Sequence, residues 1–263
     1  MMDILEAQAK AQLEKKAHAL ATIVETKGVT PRKSGSKMLV FENGSIIGSV
    51  GGGATEKKVI DDALTCIANG KNALNEYQNC ADENDISIGS LLVFIESIQG
   101  APDLVVCGAG HVGACVIRTA STLGYRITAI DTRDTPMTAE NVKLADDFIL
   151  VDDFFNGLKN LKTGAGAFYL ISTYGHAQDG EALAAALDKD AKYIGMTGSP
   201  TKIAMLFDRM REKDHSEARL SFVHAPVGLD IGGATPEEIA ISIIAEMQMI
   251  RYGGTGRPLS TIA

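Results

Sequence analysis

Residues 104–131 read LVVCGAGHVGACVIRTASTLGYRITAID, and this stretch decides the fold. A short apolar run comes first, and three glycines follow it at the spacing G-x-G-x-x-G, namely Gly108, Gly110 and Gly113. A helical segment comes next, and a second apolar run ends at Asp131. A glycine fingerprint alone is a weak signal, but strand, loop, helix and strand in this order form the context that a dinucleotide-binding βαβ unit requires. The stretch therefore predicts a Rossmann-like fold.

The fingerprint also predicts an anion site. Its first glycine permits a tight turn, its second lets the backbone approach a diphosphate, and its third lets the helix pack on the strand. The helix N-terminus offers free N–H groups. Asp131 stands where an acid accepts from a ribose hydroxyl, or Arg133 meets a 2′-phosphate instead. His111 either faces the anion or only solvates the turn. The candidate cofactor-binding residues of this stretch are Gly108, Gly110, His111, Gly113, Asp131 and Arg133.

The order of predicted strands and helices in residues 99–263 extends this prediction. Short apolar strands alternate with helices, in the order LVVC, RITAID, DFILV, AFYLIS, YIGM and SFVHA. That alternation predicts a parallel, doubly wound sheet. Ser199-Pro200 and the capping box at 235–238 mark two helix starts. The last helix carries an apolar stripe typical of a core-facing helix, formed by Ile239, Ile243, Met247 and Ile250.

Polar residues cluster where three of these strands end, at 172–179, 195–199 and 224–232. Ligands of open α/β sheets bind at the carboxyl ends of the strands. The segments therefore supply candidates for ligand contact or proton handling, namely His176, Asp179 and His224. The alternatives are that these histidines are ordinary surface residues and that the aspartate caps the following helix.

Residues 1–98 have a different pattern and predict a small α+β domain. A strand ends at Gly28, and two apolar runs flank the hairpin dipeptide Asn43-Gly44. A helical segment then stops at Gly70, and the run SLLVFIESI predicts another strand. The Gly/Pro break at 99–103 separates this domain from the Rossmann-like one.

A second glycine cluster lies in this first domain, in the segment GSVGGGATE at 48–56. Three consecutive glycines before a helix form either an anion cradle or a flexible joint. A basic loop precedes them, containing Arg32, Lys33 and Lys37. A basic loop beside a glycine loop favours an anionic ligand, and the alternative is a solvated surface loop.

Composition excludes several classes of protein. The net charge of −8 and the lack of a basic run exclude a nucleic-acid surface. No apolar run reaches the roughly 18 residues of a membrane helix. The N-terminus reads as an amphipathic helix rather than a signal peptide, so we expect a cytoplasmic protein. Cys66, Cys80, Cys107 and Cys115 form no CxxC, which predicts reduced thiols rather than a zinc or disulfide site.

A set of motifs, taken together, resembles the XdhC/CoxI family, whose members are accessory proteins of xanthine dehydrogenase and related molybdenum hydroxylases. The resemblance runs from about residue 19 to residue 251 and keeps the order of the motifs. These are ETKGVTPRKSGSKMLV, GSVGGGATE, VVCGAGHVG, DTRDTP, STYGHAQD, YIGMTGS and VHAPVGLDIGGATPEEIAISIIAEM. The last of them is the most specific, because it is not a general Rossmann feature.

The resemblance implies a chaperone rather than an enzyme. Such a protein binds molybdenum cofactor as cargo, shields it, presents it to a cysteine desulfurase for sulfuration and delivers it to an apoenzyme such as xanthine dehydrogenase. The resemblance, together with the apolar last helix, predicts a homodimer. The resemblance also implies no catalytic or metal-ligating residue in this chain. One wall of the binding cleft would comprise Gly51, Gly52, Gly53 and Glu56. The other would comprise the fingerprint residues, with the segments at His176–Asp179 and His224 lining the strand ends.

One position departs from the family pattern. Many relatives have cysteine where this chain has Ala54, which puts a thiol-dependent role of that position in doubt. It also counts against a sulfur-transfer enzyme, which needs an activated cysteine. The main alternative is an NAD(P)-dependent oxidoreductase with His176 or His224 as proton donor. A structural adaptor between a desulfurase and its client is a further alternative.

Overall fold

A computed structural model describes residues 3–80, 87–164 and 166–261 of the chain. The chain forms two compact units, an N-terminal unit of residues 1–101 and a C-terminal unit of residues 102–263. Each unit has its own sheet and its own apolar core. No helix of the described residues is long and apolar enough to cross a membrane.

The N-terminal unit is an antiparallel sheet with two helices. The strands lie in the order β3-β2-β1-β5-β4. Its elements are α1 (Ile4–Leu13), β1 (His18–Gly28), β2 (Lys37–Phe41), β3 (Ile46–Gly48), α2 (Gly53–Asn69), β4 (Ala73–Cys80) and β5 (Ser87–Ile98). The predicted N-terminal helix, hairpin, second helix and SLLVFIESI strand are all confirmed, whereas β4 was not predicted.

The two faces of this sheet are covered by different helices. Successive side chains of a strand point to opposite faces. On β1, Ala19 and Ala21 therefore join the core under α2, while Leu20 packs with Ala7 of α1. Helix α2 ends where the sequence predicted, because Gly70 adopts the left-handed conformation, with φ 65°.

The C-terminal unit has a six-stranded parallel sheet in the order β11-β10-β9-β6-β7-β8. Chain order and spatial order reverse between β6 and β9, as in a doubly wound Rossmann sheet. The predicted fold class is confirmed. The strands are β6 (Asp103–Cys107), β7 (Arg126–Asp131), β8 (Asp147–Leu150), β9 (Ala167–Ile171), β10 (Ala191–Met196) and β11 (Val223–His224). The helices are α3 (His111–Ser121), α4 (Pro136–Asn141), α5 (Phe154–Asn160), α6 (His176–Leu187), α7 (Pro200–Glu212), α8 (Glu217–Leu220) and α9 (Pro236–Tyr252).

Both faces of this sheet are buried, which explains the continuous apolar runs of its strands. On β6, Val105 and Cys107 belong to the core that contains α5, α6 and α7 residues. The alternate residues Leu104 and Val106 belong to the core that contains α3 and α9 residues. The side chains of β6 thus contribute to both cores, and the glycine loop follows its carboxyl end.

Helix α9 begins and packs as its sequence predicted. Thr235 and Glu238 form the capping box at its start. Ile243 and Met247 are fully buried in the core shared with α3. This apolar face, which had supported a homodimer, is therefore covered within the same unit.

Candidate functional site

Two glycines of the fingerprint are explained by packing. Gly108 has φ 102°, and a Cβ there would collide with the backbone carbonyl of Ser172 at the end of β9. A Cβ on Gly113 would collide with the carbonyl oxygen of Gly108. These glycines bring the loop, the helix and the neighbouring strand together, as the fingerprint predicted.

Gly110 has no such structural reason to be glycine. It is the residue that precedes α3, its φ of −73° suits any residue, and a Cβ there would meet nothing within 4 Å. The first N–H groups of a helix have no partner within the helix. The missing side chain therefore leaves the positive end of α3 open to an approaching anion.

A cleft of about 290 Å³ lies at this helix end, and we refer to it as the α3 cleft. It is bounded by the segments that follow β6, β7 and β9. Its lining residues are Gly110, His111, Val112, Arg133, Met137, Ser172, Thr173 and Tyr174. The volume is at the small end of the range for ligand sites, so the cleft fits a phosphate-sized or diphosphate-sized group rather than a whole dinucleotide.

Asp131 lies beside this cleft but is already engaged. It is 1% exposed, and its two carboxylate oxygens accept four hydrogen bonds. The donors are the backbone N–H of Ala109 (2.8 Å), the backbone N–H of Arg133 (3.0 Å), and Nε (2.9 Å) and Nη2 (2.8 Å) of Arg133. Burial alone would raise the pKa of Asp131, but the Arg133 side chain and the Ala109 N–H outweigh it, and the pKa is lowered.

A carboxylate has about four acceptor positions, and all four of Asp131 are filled. A ribose hydroxyl would therefore have to displace Arg133. That side chain also lies 5.6 Å from the ring centre of Tyr174 in a cation–π contact. Its Nη1 makes no hydrogen bond within the described residues. Arg133 thus holds the buried aspartate while keeping one donor at the cleft.

Asp179 stabilises a loop that lines the cleft, and its side chain does not line the cleft itself. It is fully buried in the first turn of α6. Its Oδ1 accepts from the backbone N–H of Thr173 (3.1 Å) and from the Thr173 hydroxyl (2.6 Å). Its Oδ2 forms an ion pair with Lys202 of α7. The sequence pointed to Asp179 but missed Lys202. His176 begins α6, and its side chain lies outside the described residues.

His224 belongs to a separate cluster. Its Nδ1 lies 3.1 Å from Oε1 of Glu246, and its ring centre lies 4.8 Å from that of Tyr193. Oε2 of Glu246 accepts from the Tyr193 hydroxyl (2.6 Å) and from the Gly228 N–H (3.0 Å). Burial raises the pKa of Glu246, and the three donors lower it further than burial raises it. This cluster holds residues 224–228 to α9.

Sequence reasoning missed Glu246, although a signal existed. It lies three residues after Ile243 and directly before Met247, so helical spacing places it beside the buried stripe of α9. A carboxylate in that position is 8% exposed and needs buried donors. His224, at the end of a predicted strand in the motif HAPVG, was the sequence-based candidate for one of these donors.

The glycine loop of the N-terminal unit, residues 48–53, is filled by the chain's own anion. Oε2 of Glu56 accepts from the Ser49 hydroxyl (2.5 Å) and from the N–H groups of Val50 (3.0 Å) and Gly52 (3.1 Å). Burial raises the pKa of Glu56, and these donors lower it below its usual value. The residues 51–53 all have positive φ, at 146°, 83° and 63°. The loop conformation itself therefore accounts for the three glycines.

An open groove lies beside this loop, and we refer to it as the basic groove. Its volume is about 460 Å³, and its lining residues are Arg32, Ser36, Lys37, Gly48 and Ser49. Lys37 donates to the Thr22 hydroxyl at 3.1 Å. Within residues 3–80, 87–164 and 166–261, no carboxylate pairs with Arg32 or Lys33. The positive charge that the sequence placed near the glycine loop thus faces this groove.

The cysteine side chains that the structure describes are buried. Cys66, Cys107 and Cys115 are at most 7% exposed and unpaired. Burial is the main factor that raises the pKa of each of them. The side chain of Cys80 lies outside the described residues. The described thiols are therefore poor nucleophiles.

The sheet order and the glycine loop before α3 define the C-terminal unit as a Rossmann-type domain. Residues 104–247 match the model of the XdhC Rossmann domain, and residues 11–78 match the model of the XdhC and CoxI family. The chain belongs to this family, which confirms the resemblance seen in the sequence motifs.

Two relatives and one solved structure are among the proteins similar to this chain. The uncharacterized protein YqeB of Escherichia coli K12 is 33% identical over 97% of this chain and 47% of its own length. A probable xanthine dehydrogenase subunit of Bacillus subtilis 168 is 26% identical over 60% of this chain and 46% of its own length. The chain thus spans about half the length of these relatives. A crystal structure of a xanthine dehydrogenase from Bacillus halodurans shares the fold, with 20% identity, 98% and 97% coverage of the two chains and a TM-score of 0.51.

Proposed function

We propose that this chain is an accessory protein of a xanthine dehydrogenase or a related molybdenum hydroxylase. It binds molybdenum cofactor as cargo, protects it during sulfuration by a cysteine desulfurase and inserts it into the apoenzyme. Membership in the XdhC and CoxI family supports this role. The proposal places the protein in the cytoplasm as a homodimer, with the desulfurase and the apoenzyme as partners.

The observation that carries the proposal is the open N-terminus of α3. The cargo is a phosphorylated pterin, and its phosphate needs backbone donors and a positive charge. Gly110 leaves these donors accessible, and Arg133 offers its Nη1 at the same cleft. A cleft of about 290 Å³ fits the phosphate end of the cargo and leaves the rest of the pterin outside it.

The residues of the chain bind and orient the cargo, and no chemical step is assigned to them. The α3 helix end and Arg133 hold the phosphate, while the exposed ring of Tyr174 offers an apolar face next to them. The bound cofactor supplies the molybdenum chemistry only after its transfer to the client enzyme. The described thiols have raised pKa values, so the proposal assigns the sulfur-carrying cysteine to the desulfurase.

The NAD(P)-dependent oxidoreductase alternative is weakened by Asp131. Dinucleotide binding in this fold uses the acid at the end of the second strand to accept from the adenosine ribose. Here that carboxylate is 1% exposed and has four donors already. NAD binding through this ribose contact would require Arg133 to leave the carboxylate, at the cost of a buried, charge-assisted contact.

The test is anaerobic binding of freshly released molybdenum cofactor, detected as oxidised pterin fluorescence in the protein fraction. Calorimetry with NAD and NADP runs in parallel. We expect near-stoichiometric pterin on the wild-type protein and at least tenfold less on Gly110→Leu, because the new side chain covers the helix end.

The matched control is Gly254→Leu, since a Cβ on Gly254 meets no atom closer than 3.7 Å. It should bind pterin like the wild type. Stoichiometric nicotinamide binding without pterin would overturn the proposal. Equal pterin binding by Gly110→Leu and wild type would show that the cargo does not bind at the α3 cleft.

A further inference from the structure

The outer strand of the C-terminal sheet presents apolar side chains to solvent. Among the described strands, β8 pairs only with β7 and has a free edge. Its residues Phe148, Ile149 and Leu150 are 38%, 36% and 50% exposed. Proteins normally protect free edges with charges, bulges or covering loops, and a run of exposed apolar residues there marks an interaction site.

The backbone of this edge is ready to pair. The N–H of Val151, directly after β8, donates inward to the carbonyl of Asp131 on β7, at 3.0 Å. Backbone groups of a strand alternate in direction. The register pairs Ile149 with Ile130, so the N–H groups of Asp147 and Ile149 also point inward to β7. Those of Phe148 and Leu150 therefore point to the free edge, where a further strand would meet them.

A groove runs along the same edge, and we refer to it as the β8 groove. Its volume is about 530 Å³. It is lined by the segments 149–153 and 156–162, with Ile149, Leu150 and Leu161 among its apolar residues. Every second side chain of an added strand would point toward this groove and could occupy it.

Unpaired carboxylates flank the apolar run. Asp147 precedes it and Asp152 follows it, and both are exposed. Neither carboxylate has a hydrogen bond or ion pair within the described residues. The neighbouring Asp153 accepts from the Asn156 N–H as a helix cap. Lys162 is the one cation among the lining residues of the β8 groove.

We infer that the β8 edge docks an extended segment of a partner protein, apolar in its middle and carrying Lys or Arg at both ends. The segment adds to the sheet as a further strand, with main-chain hydrogen bonds for affinity and the flanking charges for specificity. The inference goes beyond the proposed function and does not depend on it.

The flanking charges argue against a second copy of this chain as the occupant. Two copies of β8 paired antiparallel would place the carboxylates of one strand beside those of the other, because acids lie at both ends. Like charges across strands are destabilising. The chain's net charge of −8 adds to that repulsion.

The probe is a short synthetic peptide of alternating valine and threonine with lysines at both ends. The matched probe carries glutamates in their place. We expect the lysine peptide to bind in a fluorescence anisotropy titration and to slow amide hydrogen exchange at Phe148 and Leu150. The glutamate peptide should do neither.

Three variants sharpen the test. Phe148→Pro removes an outward N–H and should weaken binding by about fivefold or more. The double variant Asp147→Lys/Asp152→Lys should reverse the preference in favour of the glutamate peptide. Leu150→Lys should weaken binding of the lysine peptide, whereas Ile241→Lys, at a similarly exposed apolar residue of α9, should not. Circular dichroism checks that each variant is folded.

Failure of the lysine peptide to bind would overturn the inference, as would equal binding of both peptides. A wild-type dimer in sedimentation that Phe148→Pro dissociates would assign the edge to a second copy instead. The double charge reversal keeps the outcome readable even if the proline variant fails to fold, because it leaves the backbone unchanged.

Discussion

The two glycine loops of this chain have similar compositions, but their backbone donors meet different groups. In the N-terminal unit, Val50 and Gly52 donate to the carboxylate of Glu56. In the C-terminal unit, Gly110 leaves the start of α3 open. The comparison teaches that glycine-rich sequence marks a place where backbone donors converge. Whether the chain or a ligand supplies the anion depends on one carboxylate placed four residues after Gly52.

The largest expected effect concerns Gly108, where conformation and crowding both require glycine. Gly108→Ala should reduce the free energy of unfolding of the C-terminal unit by about 3 kcal/mol or more, because φ is 102° and the new Cβ meets a backbone carbonyl. Urea unfolding followed by circular dichroism measures it. A loss below about 1 kcal/mol would show that the loop can relax away from β9.

Removal of the internal anion should make the two loops alike. Glu56→Ala leaves the Val50 and Gly52 donors unsatisfied and should cost about 1–2 kcal/mol of unfolding free energy. Added acetate or phosphate should then bind in the vacated cradle and restore part of that loss. Thermal shift against anion concentration reads this out, with Glu76→Ala as a control that leaves the loop intact. Equal anion effects on the wild type and Glu56→Ala would contradict the comparison.

The contribution of Glu56 should also depend on pH. Its pKa is lowered in the folded protein, so its stabilising effect is present above the unfolded pKa of about 4.3 and is lost as the pH falls through the lower folded value. The difference in unfolding free energy between wild type and Glu56→Gln should therefore shrink on acidification. Urea titrations at a series of pH values test this. A difference in unfolding free energy that grows toward acid pH would mean that the pKa of Glu56 is raised, not lowered, on folding.

The smallest effect on stability is expected at Gly110. Gly110→Ala should change the free energy of unfolding by less than about 0.5 kcal/mol, since the site is open and φ is ordinary. The matched change Gly52→Ala should cost about 2–3 kcal/mol, because φ 83° and ψ 177° form a backbone conformation almost restricted to glycine, although space is equally free. Chemical denaturation of both variants separates the conformational cost from the crowding cost. Equal values would mean that backbone conformation does not distinguish the loops.

The fold could be predicted from sequence because its signals are local. The apolar run 104–107, the following glycines and the capping residue Thr235 each determine structure within a few residues. Strand β4 escaped because its sequence, ALNEYQNC, is mostly polar and lies at a sheet edge, where exposed Leu74 and buried Tyr77 give a weak alternation. Local pattern carries little information about such strands.

The site was harder to predict because the role of each side chain depends on which hydrogen-bond donor reaches which acceptor in the folded chain. Asp131 was correctly placed at the end of β7, but the sequence did not show that Arg133, two residues later, saturates it. Glu56 was placed in a binding wall, whereas its carboxylate points into its own loop. The pairing of Asp179 with Lys202 joins two helices and has no local signal at all.

The Glu246 cluster has a consequence for how this sequence can change over time. One carboxylate accepts from Tyr193 of β10, His224 of β11 and the Gly228 N–H. An aliphatic side chain in its place loses all three contacts, and an amide keeps them only if His224 changes to the tautomer whose Nδ1 accepts. Positions 193, 224 and 246 should therefore be inherited as a set, and an alignment of related sequences should show them replaced together or retained together.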